Sequence, residues 1–183
     1  MISFPDKQYE VIYCDPPYDY GGQKQHNGKQ GEETGGAASH YPTVTLADLK
    51  KLPVQDITNK ESCVMFMWTT SPHLDQAIEL GKAWGFKYIT IGFVWHKEAT
   101  NPGAYTLSQC EICLVFKKGK RPERIKELGS NKQRQFYSEK RKRHSAKPQE
   151  FRKRIEIMYP KANRIEMFAR EPHEGWDVWG NEV

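Results

Sequence analysis

Six consecutive apolar residues, Cys63-Val-Met-Phe-Met-Trp68, constrain this chain more than any other feature. Successive residues of a strand point to opposite sides, so a strand apolar at every position must be covered on both faces. Val11-Ile12-Tyr13-Cys14 has the same character, and Arg164 to Phe168 is expected to be a final strand. Helical patterns lie between these runs. Ser71-Pro72 offers an N-cap followed by proline in the first turn, and Leu74, Ala77, Ile78 and Leu80 form a stripe. That spacing predicts a helix from about Pro72 to Trp84, ended by Gly85. Thr45-Leu-Ala-Asp48 resembles a capping box opening a short helix to about Leu52. Pro148 starts a further helix to about Tyr159, with Phe151, Ile155 and Met158 on one face. Strands are also expected over Tyr88–Trp95 and Cys110–Lys117, with an edge at Trp176–Trp179. Alternating strands and helices predict an α/β fold, one sheet with helices on both faces. Ligands of such sheets bind beyond the carboxyl ends of the strands.

The 183 residues suit a single domain, 1–183, large enough to bury a core without disulfides or metals. Five Trp, nine Tyr and eight Phe argue against a disordered chain. No apolar run approaches the roughly 20 residues of a membrane span, so no membrane partner is expected. The opening Met-Ile-Ser-Phe-Pro-Asp lacks the basic region and apolar run of a secretory signal, and a cytoplasmic protein is expected. Cys110-Glu-Ile-Cys113 has the spacing of half a zinc site, but no second pair follows at a matching interval. All four cysteines are therefore expected to be reduced thiols, mostly in the core, with no metal.

The formal charge of +5 conceals an asymmetry. Residues 117–154 hold 16 of the 28 Lys and Arg but only 4 of the 23 acids, leaving the remainder acidic. A basic block on an acidic body suits a polyanion, and nucleic acid is the commonest one; a solvated loop is the alternative from charge alone. Residues 117–147, with little periodicity, are expected to contain a long loop and to face nucleic acid, with Lys132, Arg134, Lys140, Arg141, Lys142 and Arg143 as candidate phosphate ligands. Phe136 and Tyr137 are interleaved aromatics suited to stacking on a base. Residues 21–36 include six glycines and are expected to form a lid over bound substrates.

The candidate chemistry begins where the first strand stops. Asp15-Pro16-Pro17-Tyr18 places a carboxylate on a stiff backbone, because each proline fixes φ and removes an N–H donor. Its carbonyls are expected to lack competing donors, and Tyr18 to add a stacking surface. Such a site suits an amino group on an aromatic ring, with one N–H going to Asp15 and the other to the Pro16 carbonyl. A proline-rich turn with a solvated carboxylate is the alternative on the tetrapeptide alone.

Asp-Pro-Pro-Tyr at a strand end is similar to the catalytic motif of amino-group methyltransferases that use S-adenosylmethionine, Asp in first place being the N6-adenine type. His40-Tyr-Pro-Thr43, Leu52-Pro-Val54, Met67-Trp-Thr-Thr70, Trp84-Gly-Phe86 and Gly103-Ala-Tyr105 follow in the order expected of one family. So do Glu111-Ile-Cys-Leu-Val115, Arg143-His-Ser-Ala-Lys-Pro148, Arg164-Ile-Glu-Met-Phe-Ala-Arg170 and Gly175-Trp-Asp-Val-Trp-Gly-Asn-Glu182. Together, over roughly residues 9–183, they resemble the MT-A family, typified by the seventy-kilodalton subunit of the mRNA N6-adenosine methyltransferase, and within it the compact bacterial and phage members.

The resemblance implies a Rossmann-like methyltransferase fold, circularly permuted, with a mostly parallel sheet, the catalytic motif first and the cofactor strand last. It implies S-adenosylmethionine as cofactor and Asp15, Pro16, Pro17 and Tyr18 as the catalytic set. Ser145 and Lys147 would lie on the cofactor loop, with Lys147 pairing the methionine carboxylate; an ammonium just before a helix N-terminus is placed for an anion. Arg170, Asn181 and Glu182 would meet the adenosine part, with Asp15 beside the cofactor. From residue type alone, Lys147 reads equally as solvated, and Asn181 and Glu182 as a frayed terminus. The implied substrate is adenine in DNA, with RNA as the alternative. A non-catalytic subunit of this fold is a further alternative, and a homodimer or a paralogous partner is left open. Two departures stand out: Tyr18 occupies a position where many members have Trp, and Phe168-Ala-Arg-Glu171 replaces a glycine-rich turn.

Overall fold

The computed structural model describes residues 3–18, 44–101, 105–119, 132–141, 146–181 and 183. The strands are β1 (Val11–Cys14), β2 (Ser62–Thr69), β3 (Lys87–Asn101), β4 (Ser108–Gly119), β5 (Phe136–Ser138), β6 (Arg164–Met167) and β7 (Asp177–Trp179). The helices are α1 (Leu46–Lys50), α2 (Leu74–Ala83) and α3 (Gln149–Met158). The strands form one sheet in the order β5-β3-β4-β2-β1-β6-β7. It is mostly parallel, with β4 antiparallel to both β2 and β3. β1, early in the chain, pairs with β6, late in the chain, as the permuted order implies.

The alternation of β1 sorts the core into two layers. Ile12 and Cys14 face one side with Leu49 of α1 and Ala77 and Leu80 of α2. Val11 and Tyr13 face the other with Phe151 and Ile155 of α3. Helices therefore cover both faces, as the fully apolar strands require. Trp68 is completely buried, and its Nε1–H donates to Tyr13 Oη at 2.7 Å, which satisfies the indole inside the α3 layer.

The local rules hold at α1, where the Asp48 amide donates to Thr45 Oγ1 at 3.2 Å and the Thr45 hydroxyl returns a bond to Asp48 Oδ2. At α2 they hold at one end only. Gly85 adopts φ +81° and its amide bonds the Lys82 carbonyl, closing the helix as expected. At the start, Ser71–His73 is a 3-10 turn without a side-chain cap, and α2 begins at Leu74 rather than Pro72. β3 runs well beyond its expected end at Trp95 and pairs with β4, close to its expected limits, as a long antiparallel hairpin. The cysteines are free thiols, with Cys14, Cys63 and Cys113 buried and Cys110 partly so. Among the described residues no helix is long and apolar enough to cross a membrane.

Candidate active site

β1 hydrogen-bonds in parallel to β2 on one side and β6 on the other, with Cys14 level with both Met67 and Met167. Three carboxyl ends therefore open on one rim. Asp15 follows β1, Thr70 follows β2, and Phe168 to Arg170 follow β6. Because β4 runs the opposite way, its early residues reach the same rim, where Ile112 pairs with Thr69. Glu111 precedes Ile112 and pairs with Trp95 of β3, two residues before Lys97.

Lys147, just ahead of α3, joins these groups. Its Nζ lies 2.5 Å from Asp15 Oδ2, 3.3 Å from Glu111 Oε2 and 5.7 Å from the centre of the Trp68 ring. Glu111 Oε1 lies 3.4 Å from Lys97 Nζ. The result is an alternating quartet, Asp15–Lys147–Glu111–Lys97. The Lys97 and Lys147 side chains are buried and Glu111 is partly so, while the Asp15 side chain is 34% exposed. Burial pushes the Asp15 carboxyl above its usual range, Lys147 pulls it back, and Glu111 pushes it up. Burial opposes the charge of Lys147, but the two carboxylates outweigh it and hold its pKa above the ordinary lysine value. Burial also acts against Glu111, yet Lys147 and Lys97 together carry it below the usual carboxylate range.

Several expectations need correction in the Asp-Pro-Pro-Tyr turn. The Pro16 carbonyl accepts from the Tyr18 amide at 2.9 Å and the Pro17 carbonyl from the Val44 amide at 2.9 Å, so neither is free of donors. Tyr18 is buried: its ring stacks on His73 at 5.6 Å and its hydroxyl donates to Met67 Sδ at 3.2 Å. It lines the turn from within and offers no open face to a base. Lys147 is engaged by two protein carboxylates.

Arg170 is exposed and lies close enough to Asp15 to favour its charge, while Asn181 is exposed near the chain end. Lys132, Arg134, Lys140 and Arg141 are exposed around β5, a strand within the basic segment where a loop is expected. Phe136 is exposed, whereas Tyr137 is half-buried with its ring edge-on to Phe151. Lys142, Arg143, Ser145, Glu182 and the glycine-rich stretch 21–36 lie outside the described residues. Among the described residues no group of three or more His, Cys, Asp or Glu is arranged for a metal.

Glu111 and Lys97 are the rim residues that sequence reasoning misses. The available signal was a single acid inside an otherwise apolar strand, Cys110-Glu111-Ile112, since a buried carboxylate needs a cationic partner.

The sheet order, the helices on both faces and the carboxylate at the strand-end rim define an α/β fold of the S-adenosylmethionine-dependent methyltransferase class. The MT-A70 family model matches residues 9–182, and the chain belongs to that family. It is 44% identical to the type II methyltransferase M.MunI of a Mycoplasma species, over 99% of this chain and 80% of that protein. It is 24% identical to an N(6)-adenosine-methyltransferase MT-A70-like protein of Arabidopsis thaliana, over 96% of this chain but only 24% of the longer plant protein.

Proposed function

We propose that this methyltransferase moves a methyl group from S-adenosylmethionine to N6 of adenine in DNA, with 1–183 acting as one cytoplasmic catalytic domain. The observation that carries the reading is a partly exposed carboxylate on a proline-stiffened turn, at the end of an interior parallel strand, held by a buried ammonium. The exocyclic amine of adenine offers two N–H donors. Asp15 accepts one. The Pro16 carbonyl, which already takes the Tyr18 amide, has a second lone pair for the other. Positive charge develops on the amine as it attacks, and both acceptors stabilise it. S-adenosylmethionine supplies a methyl group already activated on a sulfonium, so alignment carries the rate. Lys147 keeps Asp15 oriented and favours its ionised form. The Asp15 carboxylate takes up the proton the methylated amine releases and passes it to water.

The rim fits that cofactor on two observations. An ammonium has three N–H donors; Asp15 and Glu111 engage two of those on Lys147, leaving one for a ligand carboxylate. His173 Nε2 is buried without a hydrogen-bond partner, on the connection from β6 to β7 that also carries Arg170. A polar ligand group would satisfy it. Gly180 keeps this connection tight, because a Cβ there would fall 2.3 Å from the Ala169 carbonyl oxygen. Lys147 and Ser145 are assigned to the methionine end, and Arg170, Asn181 and Glu182 to the adenosine end.

DNA is favoured because the chain matches a compact relative over most of both lengths, and compact members of the family resemble bacterial and phage DNA modifiers. The likeness to the plant adenosine-methyltransferase-like protein supports RNA as the second reading. The test is methyl transfer from labelled S-adenosylmethionine to unmethylated DNA and to RNA, with nucleoside analysis. N6-methyldeoxyadenosine is the expected product. Label in RNA alone would replace the substrate and keep the chemistry. No transfer to either, with cofactor binding intact, would make the chain a non-catalytic subunit.

A further inference from the structure

The basic segment is held at β5 more firmly than a three-residue edge strand requires. β5 runs parallel to β3, with Val94 level with Phe136 and His96 level with Ser138. Arg154 of α3, itself buried, donates to the carbonyls of Arg134 at 2.7 Å and Phe136 at 3.1 Å. Its guanidinium lies 5.2 Å from the centre of the Tyr137 ring. Trp95 Nε1–H donates to the Glu139 carbonyl at 2.8 Å, and the Gln135 side chain donates to the Ile91 carbonyl at 2.7 Å. Tyr137 is turned inward by this arrangement and Phe136 outward.

Phe136 is left 57% exposed, with its ring stacked on the His96 ring at 6.3 Å and 21° between planes. His96 Nδ1 lies 3.0 Å from Ser138 Oγ, and that hydroxyl donates to Glu98 Oε1 at 2.8 Å, which sets the angle of the imidazole. Two near-parallel rings are thus fixed on the face of the sheet opposite α3. Four exposed cations, Lys132, Arg134, Lys140 and Arg141, lie within a few residues of Phe136. The intervening acid, Glu139, is tied to the Tyr137 hydroxyl at 3.1 Å. His96 is also next in sequence to Lys97, which belongs to the buried quartet on the other face of β3.

We infer that Phe136 and His96 form a stacking platform for an unpaired base of the substrate other than the target adenine, with the flanking cations on its phosphates. A rigid aromatic face among lysines and arginines is how single strands are held with little sequence preference, since every base has a π-face. The inference rests on the nucleic-acid reading above and adds to it the place and chemistry of a second base site. Phe136 points away from the core, so changing it tests binding rather than folding.

The probe is a single-stranded twelve-nucleotide oligo(dA), titrated against the full chain over a range of salt concentrations. Phe136→Ala is expected to weaken binding about tenfold at every salt concentration, leaving the slope of log affinity against log salt unchanged. Phe136→Trp should restore or tighten binding, and Phe136→Leu, apolar but not planar, should not. A fall in slope for Phe136→Ala, or equal binding by the Ala and Trp variants, would overturn the platform and leave the nucleic-acid reading standing. Absence of oligonucleotide binding by the unaltered protein at low salt would overturn both. Unchanged thermal melting of the variants separates lost stacking from lost structure.

Discussion

Burial pushes the Asp15 carboxyl above its usual range even with Lys147 beside it, so ionising this group at neutral pH works against folding. A raised folded pKa means that the contribution of Asp15 is fully present below its unfolded value and lost as pH rises through the folded one. Asp15→Asn removes that penalty and leaves Lys147 its pair with Glu111. The variant should melt no lower than the parent near neutral pH, while methyl transfer falls by at least about a hundredfold, the usual cost of removing an acceptor aimed at developing charge. Glu111 has the opposite sign. Its folded pKa is depressed, so its stabilisation is present above the usual carboxylate range and is lost as pH falls through the lower folded value. Glu111→Gln breaks two buried ion pairs and should cost about 3 kcal/mol at neutral pH, a deficit that closes in acid. Melting both variants as a function of pH checks the signs together. A Glu111→Gln deficit that widened in acid would refute the charge assignment of the quartet. The same raised Asp15 value predicts that transfer declines with acid from a pH above the ordinary aspartate range. Lys147→Met, which removes the cation that lowers Asp15, should move that decline higher still.

At the scale of elements, Arg154 decides whether β5 exists as a strand, because it takes up two β5-side carbonyls and packs over Tyr137. Arg154→Met keeps an apolar stem but leaves both carbonyls without that donor, at a cost of about 2 kcal/mol. The loss should be local. The Val94 amide, bonded to the Gln135 carbonyl, and the Glu139 amide, bonded to the His96 carbonyl, should exchange hydrogen about thirtyfold faster, with β1 and β6 unchanged. Uniformly faster exchange across the sheet would mean that Arg154 supports the whole α3 layer instead. β5 also marks where sequence reading stops. β1 and β2 are legible because each is apolar on both faces, β6 because its apolar residues alternate with Arg164 and Glu166, and α2 and α3 because their stripes repeat at helical spacing. β5 has no such pattern: its pairing comes from side chains of β3 and α3 that are distant in sequence. The end of β3 beyond Trp95 is missed for a related reason, since His96-Lys-Glu-Ala-Thr-Asn101 carries mostly polar residues without an apolar alternation. In the site, Asp15 and Lys147 are legible through their motifs. Tyr18 is misjudged because an exposed-looking turn says nothing of the His73 ring and Met67 sulfur that enclose it.

Across the whole molecule, an acidic body carries one basic segment, of which residues 132–141 lie at the β5 edge of the sheet while Lys147 reaches the Asp15 rim. On the function proposed here, attraction of a polyanion falls to the exposed cations at that edge and chemistry on one base to the rim. Such a division has a measurable consequence. Each phosphate neutralised by a lysine or arginine releases counterions, so affinity falls with salt at a slope near −0.9 per phosphate for duplex DNA and about −0.7 for single strands. Lys132, Arg134, Lys140 and Arg141 are all exposed, and changing all four to Gln should flatten the slope by about 3.6 units on duplex DNA and about 2.8 on single strands. S-adenosylmethionine affinity and the melting temperature should barely move, because none of the four enters the buried quartet or the core. With saturating DNA at low salt the turnover number should also hold, the loss appearing in KM. An unchanged slope in the fourfold variant would move the phosphate-binding surface elsewhere on the chain. A lower turnover number at saturation would mean that the segment helps to align the target base and does more than recruit the strand.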